Sequence, residues 1–576
     1  VRGLIENQPT VAADPLGAEW LEGWVPTERG ARVRGGRTRA AYVTDAVKTL
    51  HPYIDSIAPE FFAATADAIY NISSLNPTTA PAPIGSGYTS GDWSSQQIGT
   101  SGGDFLFFCN GEDFTQIYDG GDLNPIADEA ISDLAYDALT ADFEVGETVT
   151  DGTASATIFG VVRTSATTGT LKIGTVTGGP FTDNATITSA SGSADADGAE
   201  SSASVFTITG VDTDTLSHPW LYQNRMFFIQ KDTLKAWYLP AGSVGGAALD
   251  INLAGVFRRG GSLLFGATWA TDSGAVLDDK CVFISTEGEV AIYSGTDPSS
   301  INTWGLQGRY DIGKPIGKRG SVNIGGDLLI ATDDGIVPLS AAITKDPAEL
   351  TLAAATRNIK TTWARTSRTY GANVELLKWT DQSLLLALFP GASRLFTANV
   401  LTGAWGTQVG WSGDCIGAYL GSVYVGRSDG RIYKIDDSGA DDGAVFLAQA
   451  CWPFSDLGDA SAYKVASMAR ASWFAVGSFA YQLSVATDYQ VRFPTAPNAM
   501  SDTGSVLVWD SGNWDEVVWG SDQDSERLGR VDLWRSVTGQ GYAMAPMVQV
   551  ASSGPVRIEA ELISVDLLLS GGGKAA

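Results

Sequence analysis

Histidine is almost missing from this chain: His51 and His218 are the only two among 576 residues. Zinc sites draw on His and Cys together, and the four cysteines, Cys109, Cys281, Cys415 and Cys451, include no C-x-x-C pair. A metal centre is therefore not expected, and isolated cysteines of this kind read as small buried hydrophobes. No window approaches the roughly 18 to 20 uninterrupted apolar residues of a membrane-spanning helix. The opening VRGLIENQPTVAADP lacks the basic-then-apolar layout of a secretory signal, so a soluble chain or assembly component without stable membrane insertion is expected. Bases are also scarce, with Lys+Arg 37 against Asp+Glu 65 and a net charge of −28. Affinity for phosphate comes from Lys and Arg neutralising it, so nucleic acid is expected to pass such a surface without specific binding.

What the chain does contain is sheet-forming material. At 44% hydrophobic and 10% aromatic, with 67 Gly, it can bury a large core of short strands joined by tight turns. One pattern recurs: an apolar strand, a turn of small or acidic residues, then a second strand usually carrying an aromatic. Copies run from Phe61 to Ile72, Phe105 to Tyr118, Met226 to Leu239, Cys281 to Ser294, Leu328 to Ser340, Leu384 to Val400 and Val423 to Ile435. Their turns, near Asp67, Gly111, Asp232, Gly288, Gly335, Gly391 and Gly430, lie 44, 121, 56, 47, 56 and 39 residues apart. A period of roughly 40 to 50 residues is that of a propeller blade.

The 121-residue interval contains a compositional shift. From Ala141 to Ser202 large aromatics nearly vanish, Thr, Ala, Gly, Ser and Asp dominate, and FEVGETVT at Phe143 is echoed by FTDNATIT at Phe181. This predicts a small autonomous β domain inserted in a loop, where insertion is best tolerated. Residues 1–45 are read as an N-terminal arm and part of a platform, 46–140 as the first blades, 141–207 as the insert, 208–440 as the remaining blades and 441–576 as a C-terminal β platform. The fold class expected is all-β: a β-propeller of six or seven blades with an inserted small β domain and a β-rich platform built from both chain ends. Helix is expected only at Ile131 to Asp142 and Pro347 to Trp363.

Little points to bond-making chemistry. A Ser-His-Asp site could form only through one of the two histidines, and no G-x-S-x-G turn accompanies either. His218, before Pro219 and Trp220, reads as a strand-edge or cap residue. Acids at Glu287, Asp333, Asp334 and Asp429 fall at turns, where such side chains bond their own backbone. SGTDPSSINTW, from Ser294, lacks the glycine of a sialidase Asp-box, and DTDTLSHPW and DADGAE lack the ligand order of a calcium loop. No catalytic residue, cofactor or metal ligand is assigned. The basic stretch GARVRGGRTR does stand out, since Arg29, Arg32, Arg34, Arg37 and Arg39 are five arginines in eleven residues of an acidic chain. Arg is suited to bidentate pairing with carboxylates, so these five are the candidate docking strand for an acidic surface on a partner or neighbouring subunit. Tryptophans of the C-terminal region, Trp509, Trp514, Trp519 and Trp534, are the candidate subunit contacts.

The Trp24 to Thr27 segment followed by ARVRGGRTR resembles the start of tail proteins of short-tailed and related phages, and WRSVTGQGYAMAPMVQV followed by ELISVDLLL resembles their ending. The GETVT-type halves of the insert are similar to small β modules of phage virion proteins. This resemblance implies a structural, non-enzymatic virion protein: the tail hub or nozzle, a homo-oligomeric ring, typically a hexamer, below the portal and adaptor proteins, carrying fibres or spikes and pierced by the channel through which viral DNA leaves. The alternative is a phage receptor-binding propeller that recognises host surface glycan.

Overall fold

The computed structural model describes residues 2–7, 14–202, 206–270, 279–300, 302–346, 349–371, 373–476, 479–498, 529–569 and 573–574. With 51% strand and 5% helix the protein is all-β, and among the described residues no helix is long and apolar enough to cross a membrane. Each of the seven hairpins read from the sequence forms two neighbouring strands of a separate antiparallel sheet.

Sheet 1 comprises Thr49–Tyr53, Glu60–Ala64, Ala68–Asn71 and Pro83–Ser86; sheet 2, Ser94–Thr100, Gly103–Cys109, Gln116–Tyr118 and Leu123–Pro125. Sheet 3 holds Leu216–Tyr222, Arg225–Gln230, Lys235–Tyr238 and Leu249–Asn252, and sheet 4 holds Leu263–Trp269, Lys280–Ser285, Glu289–Gly295 and Trp304–Asp311. Sheet 5 has three strands, Ser321–Ile324, Asp327–Thr332 and Gly335–Pro338, followed by the helix Leu339–Thr344. Sheet 6 contains Glu375–Trp379, Leu384–Leu388, Arg394–Asn399 and Trp405–Val409; sheet 7 contains Cys415–Tyr419, Ser422–Gly426 and Arg431–Ile435.

The first strands of sheets 1 to 4 pack in succession, as do those of sheets 5 to 7, and that of sheet 7 packs against that of sheet 1. Sheets 4 and 5 meet through Asn323 Nδ2, which donates to Thr268 O at 3.0 Å, and Trp269 Nε1, which donates to Gly326 O at 3.2 Å. Neighbouring sheets share their cores, as twisted sheets packed face to face must. Phe107 and Phe228 belong to the cluster between sheets 2 and 3, Phe227 and Phe283 to that between sheets 3 and 4. Phe61 of sheet 1 stacks on Tyr419 of sheet 7 with centroids 4.9 Å apart. Gly430 shows what the tight turns demand: its φ is +77°, and a Cβ there would stand 2.2 Å from Val43 O.

Two sequence expectations change. Arg37–Tyr42, expected with the platform, instead pairs with Arg431–Ile435 and becomes the fourth strand of sheet 7. It covers an otherwise open edge and buries Ala41 in the core shared with sheet 1. Ile131 to Asp142, expected to be helical, contains the strand Ser132–Ala141. Leu134 and Tyr136 alternate inward, but Ala138 has φ +49° and the register shifts after Asp137. That bulge breaks the two-residue period and mimics helical spacing. The Pro347 to Trp363 stretch holds the helix Leu350–Ala353 and the first turn of Lys360–Tyr370, which runs on past Trp363.

The insert is a closed six-stranded barrel. Its order is Thr148–Thr150, Thr186–Thr188, Ser193–Ala196, Ser132–Ala141, Gly169–Ile173 and Ser155–Arg163, which pairs back to Thr148–Thr150. The echoed segments supply Phe143 and Phe181 to its core and pair with each other at Thr150 and Thr188. The barrel is fixed to the ring: Val161 pairs with Ser86 of sheet 1, and Phe159 lies 4.4 Å from Phe114 beside sheet 2.

Both chain ends build a two-layer structure on sheet 6. One layer extends that sheet through Trp20–Glu22, Phe446–Cys451, Met544–Ser552 and Ala480–Thr487; the other orders Trp24–Pro26, Ala31–Val33, Ala560–Leu569, Ala462–Ala475 and Gly529–Gly541. Trp24 and Trp473, both fully buried, stack between the layers with centroids 5.8 Å apart. Such an aromatic pair adds about 0.5–1.5 kcal/mol beyond its buried area.

Candidate functional site

The arginine strand was expected to seek an acidic surface on another molecule; the structure supplies one from the same chain. The loop 436–442 presents Asp436, Asp437, Asp441 and Asp442 to it. Arg32 grips Asp436 through both carboxylate oxygens at 3.0 and 2.8 Å, and Arg557 adds a bond at 2.9 Å to a carboxylate that is 1% exposed. Arg34 makes a second bidentate pair with Asp441 at 2.9 and 2.6 Å, over the Phe446 ring. Arg39 meets Asp442 at 3.2 Å, and Arg37 donates to Gly410 O at 2.7 Å while lying over Tyr433. Only Arg29 of the five is exposed. Gly36 permits the close approach, since a Cβ there would sit 2.0 Å from Ala440 O. These contacts hold strand 37–42 in sheet 7 and anchor the platform to it.

A buried charged pair broken on one side leaves the other charge uncompensated. Asp441→Asn keeps the shape but removes the charge, and is expected to cost about 1–3 kcal/mol. Amide exchange in Arg37–Tyr42 should accelerate accordingly; unchanged exchange would show that the pair does not hold the strand.

A second cluster lies where the seven first strands converge. Lys318 and Arg319 enter just before the first strand of sheet 5. Lys318 Nζ donates to Asp92 O at 2.5 Å and Ser217 O at 3.4 Å, and pairs with Asp92 Oδ2 at 3.2 Å. Arg319 reaches Asp92 Oδ1 and Glu375 Oε1, each at 2.6 Å, and Glu375 Oε2 accepts the Ile416 N–H at 2.8 Å. Asp92 precedes sheet 2, which is not a ring neighbour of sheet 5, so these bonds span the axis. His51 Nδ1 lies 2.8 Å from Ser95 Oγ and its Nε2 2.8 Å from Thr49 Oγ1; His218 Nε2 donates to Gly266 O at 3.1 Å. All seven sheets contribute to this cluster or the bonds beside it.

The electrostatics follow from burial in a cationic neighbourhood. Burial, then Arg319 and Lys318, push the His51 pKa down to about 3; burial, then Lys318, does the same for His218, also to about 3. Burial raises the Asp92 pKa, but Arg319 and Lys318 outweigh it and hold the carboxyl at about 2. Burial lowers the Lys318 pKa, with Asp92 opposing. Burial raises that of Glu375 against the pull of Arg319. His51 touches a serine, but its other nitrogen meets Thr49 where a relay would place a carboxylate. The arrangement is a bolt across the axis. At its mouth is a recess of about 390 Å³ lined by Asp92, Lys314, Lys318 and Asn373 among others.

Among the described residues no group of three or more His, Cys, Asp and Glu could hold a metal ion. All four cysteines are buried as free thiols, and burial pushes Cys109 and Cys451 up to about 12. Of the tryptophan contacts expected, Trp534 is 42% exposed on the platform, with the Arg470 guanidinium 5.1 Å from its ring. Trp509, Trp514 and Trp519 lie outside the described residues.

No family model matches this sequence, and no curated protein matches it. Among solved structures it is similar to the computationally designed Ika8 protein, with TM-score 0.33 and 10% identity over 70% of this chain and 99% of that one. It is likewise similar to Saccharomyces cerevisiae Sqt1, at 0.33 and 12% over 69% and 98%, and to YCF48 from Cyanidioschyzon merolae, at 0.27 and 10% over 70% and 98%. Likeness this low bears on neither activity nor partners.

The axial cluster leaves little mark in the sequence. Lys318 and Arg319 stand in GKRG, which reads as a solvated turn. Asp92 and Glu375 are single acids among 65. Only the Arg and Asp runs at 29–39 and 436–442 were visible as unusual, and their mutual pairing was not.

Proposed function

We propose that the protein is a structural component of a phage tail, the nozzle or hub ring below the portal and adaptor, with its seven sheets serving as blades of a seven-bladed β-propeller. The observation that carries this reading is the bolted axis. A central opening is where a propeller would be expected to bind small molecules or do chemistry, since pockets favour convergent concave surfaces. Here ion pairs and neutral histidines fill it, which suits a scaffold whose value is shape. A filled axis also means that any DNA passage is formed between several copies of the chain rather than through one. The net charge of −28 suits a wall that repels phosphate. Docking of fibres or spikes and residence in the virion belong to the same reading.

Electron microscopy of the purified chain, alone and with portal and adaptor proteins, tests this. A closed ring of several copies, typically six, with a central passage is expected. A stable monomer under both conditions that binds host-envelope glycan would replace the reading with that of a receptor-binding protein.

A further inference from the structure

Two like-charge pairs make no direct ion pair among the described residues. On the barrel, Asp137 and Asp195 stand directly opposite each other on adjacent strands, both partly exposed. Like charges so placed destabilise a sheet. The only two bases of residues 132–202, Arg163 and Lys172, are committed to Asp142 and Asp133. Ten acids against those two bases give this barrel a net charge of −8.

On the ring rim, Arg37 and Arg427 approach the same Tyr433 ring, their guanidinium carbons 4.6 and 5.9 Å from its centroid. Arg37 has a neutral carbonyl as its acceptor. The acids nearby are already taken: Asp429 by Arg431, Asp442 by Arg39, Asp441 by Arg34, and Asp436 by Arg32 and Arg557. Burial, and next the Arg427 charge, hold the Arg37 pKa below its ordinary value against the opposing pull of Asp441 and Asp442. Residues 29–42 carry five arginines and no acid, and residues 427–442 three bases and five acids, a local net charge of +3 on a chain of −28. Arg37 also lines a groove of about 750 Å³ between sheet 7, the 77–78 turn of sheet 1 and the 553–555 turn of the platform, where Arg39, its ion-pair partner Asp442, Thr78, Ser438 and Gly554 join it, with Arg427 outside the lining.

We infer that this groove receives the Asp137 and Asp195 face of the barrel from a second copy of the chain. In this contact each like-charge pair meets charge of the opposite sign. The barrel cannot swing onto its own groove, because the Val161 to Ser86 pairing and the Phe159 to Phe114 contact fix it to sheets 1 and 2. The two patches are different surfaces, so the contact is heterologous and closes into a ring when the rotation permits. This inference rests on the reading of the protein as a ring-forming component and names the contact that builds the ring.

Sedimentation velocity on the full chain, alone and with portal and adaptor, tests it. Arg427→Glu and Asp195→Lys are each expected to weaken self-association by roughly tenfold or more, the scale of one close interfacial charge pair. The two changes in one chain should restore it, because the charges are exchanged. The milder Arg427→Ala and Asp195→Asn should act in the same direction, with near-ultraviolet circular dichroism confirming the fold. Rings that form undiminished in both reversal variants would remove this contact and leave the ring reading standing. A doubly exchanged chain no better than the single variants would also overturn the contact. A wild-type chain that stays monomeric in every mixture would remove both.

Discussion

Replacing Arg319 with methionine is expected to destabilise the ring by about 3–5 kcal/mol, the cost of leaving a buried charge without its partner. Glu375 is the reason: its side chain is 5% exposed, and Arg319 is its one ion-pair partner among the described residues. Asp92, whose side chain is 45% exposed, retains water and Lys318 and contributes little to that figure. Removing both buried charges should cost far less than removing one, since a neutral pair carries no unpaid desolvation. Arg319→Met with Glu375→Gln is therefore expected to recover most of the loss. Urea unfolding read by amide exchange in Glu375–Trp379 and Cys415–Tyr419 measures both variants. A single variant as stable as the wild type would mean that the bolt is ornamental to the ring.

Acid should weaken the same region well before ordinary carboxylates titrate. His51 and His218 have folded pKa values near 3, below the unfolded value of about 6.5. The folded state keeps both rings neutral while the unfolded chain takes up protons, so their stabilisation is complete above about pH 6.5 and is lost as pH falls towards 3. Each fully buried histidine can contribute up to about 1.4 kcal/mol per pH unit in that window. His218 contributes less, because it is partly exposed. Asp92 acts in the same sense at lower pH: its folded pKa near 2 means that its contribution, present above about pH 4, is lost as pH falls through 2. Denaturation midpoints at pH 7, 6 and 5 should fall steadily for the wild type and more gently for His51→Gln. Equal slopes for the two proteins would sink this account.

The hairpins were legible because their signal is local: a strand, a two-to-six-residue turn and a return strand lie within about fifteen residues. The strands at either side of them were not. SSQQIGT, the first strand of sheet 2, carries polar residues where the ring converges, and WGLQGRYD, the last strand of sheet 4, is largely exposed. Neither shows the alternation that marks a half-buried strand. The barrel shows in the composition, but its opening strand carries a helix-like spacing because the bulge at Ala138 disturbs the period. The axial site stayed hidden for a different reason. Burial of Lys318, Arg319 and Glu375 comes from ring closure, a long-range event that leaves no trace in the neighbouring sequence.

The fourth strand of sheet 7 has a consequence for synthesis. Arg37–Tyr42 leaves the ribosome nearly four hundred residues ahead of its pairing partner, Arg431–Ile435. At roughly 5–20 residues per second, the nascent chain carries this segment without its mate for about 20–80 s. Its arginines keep it soluble and disfavour pairing with another nascent copy during that wait, so the same charges that later seize the acidic loop first act as a guard against premature aggregation.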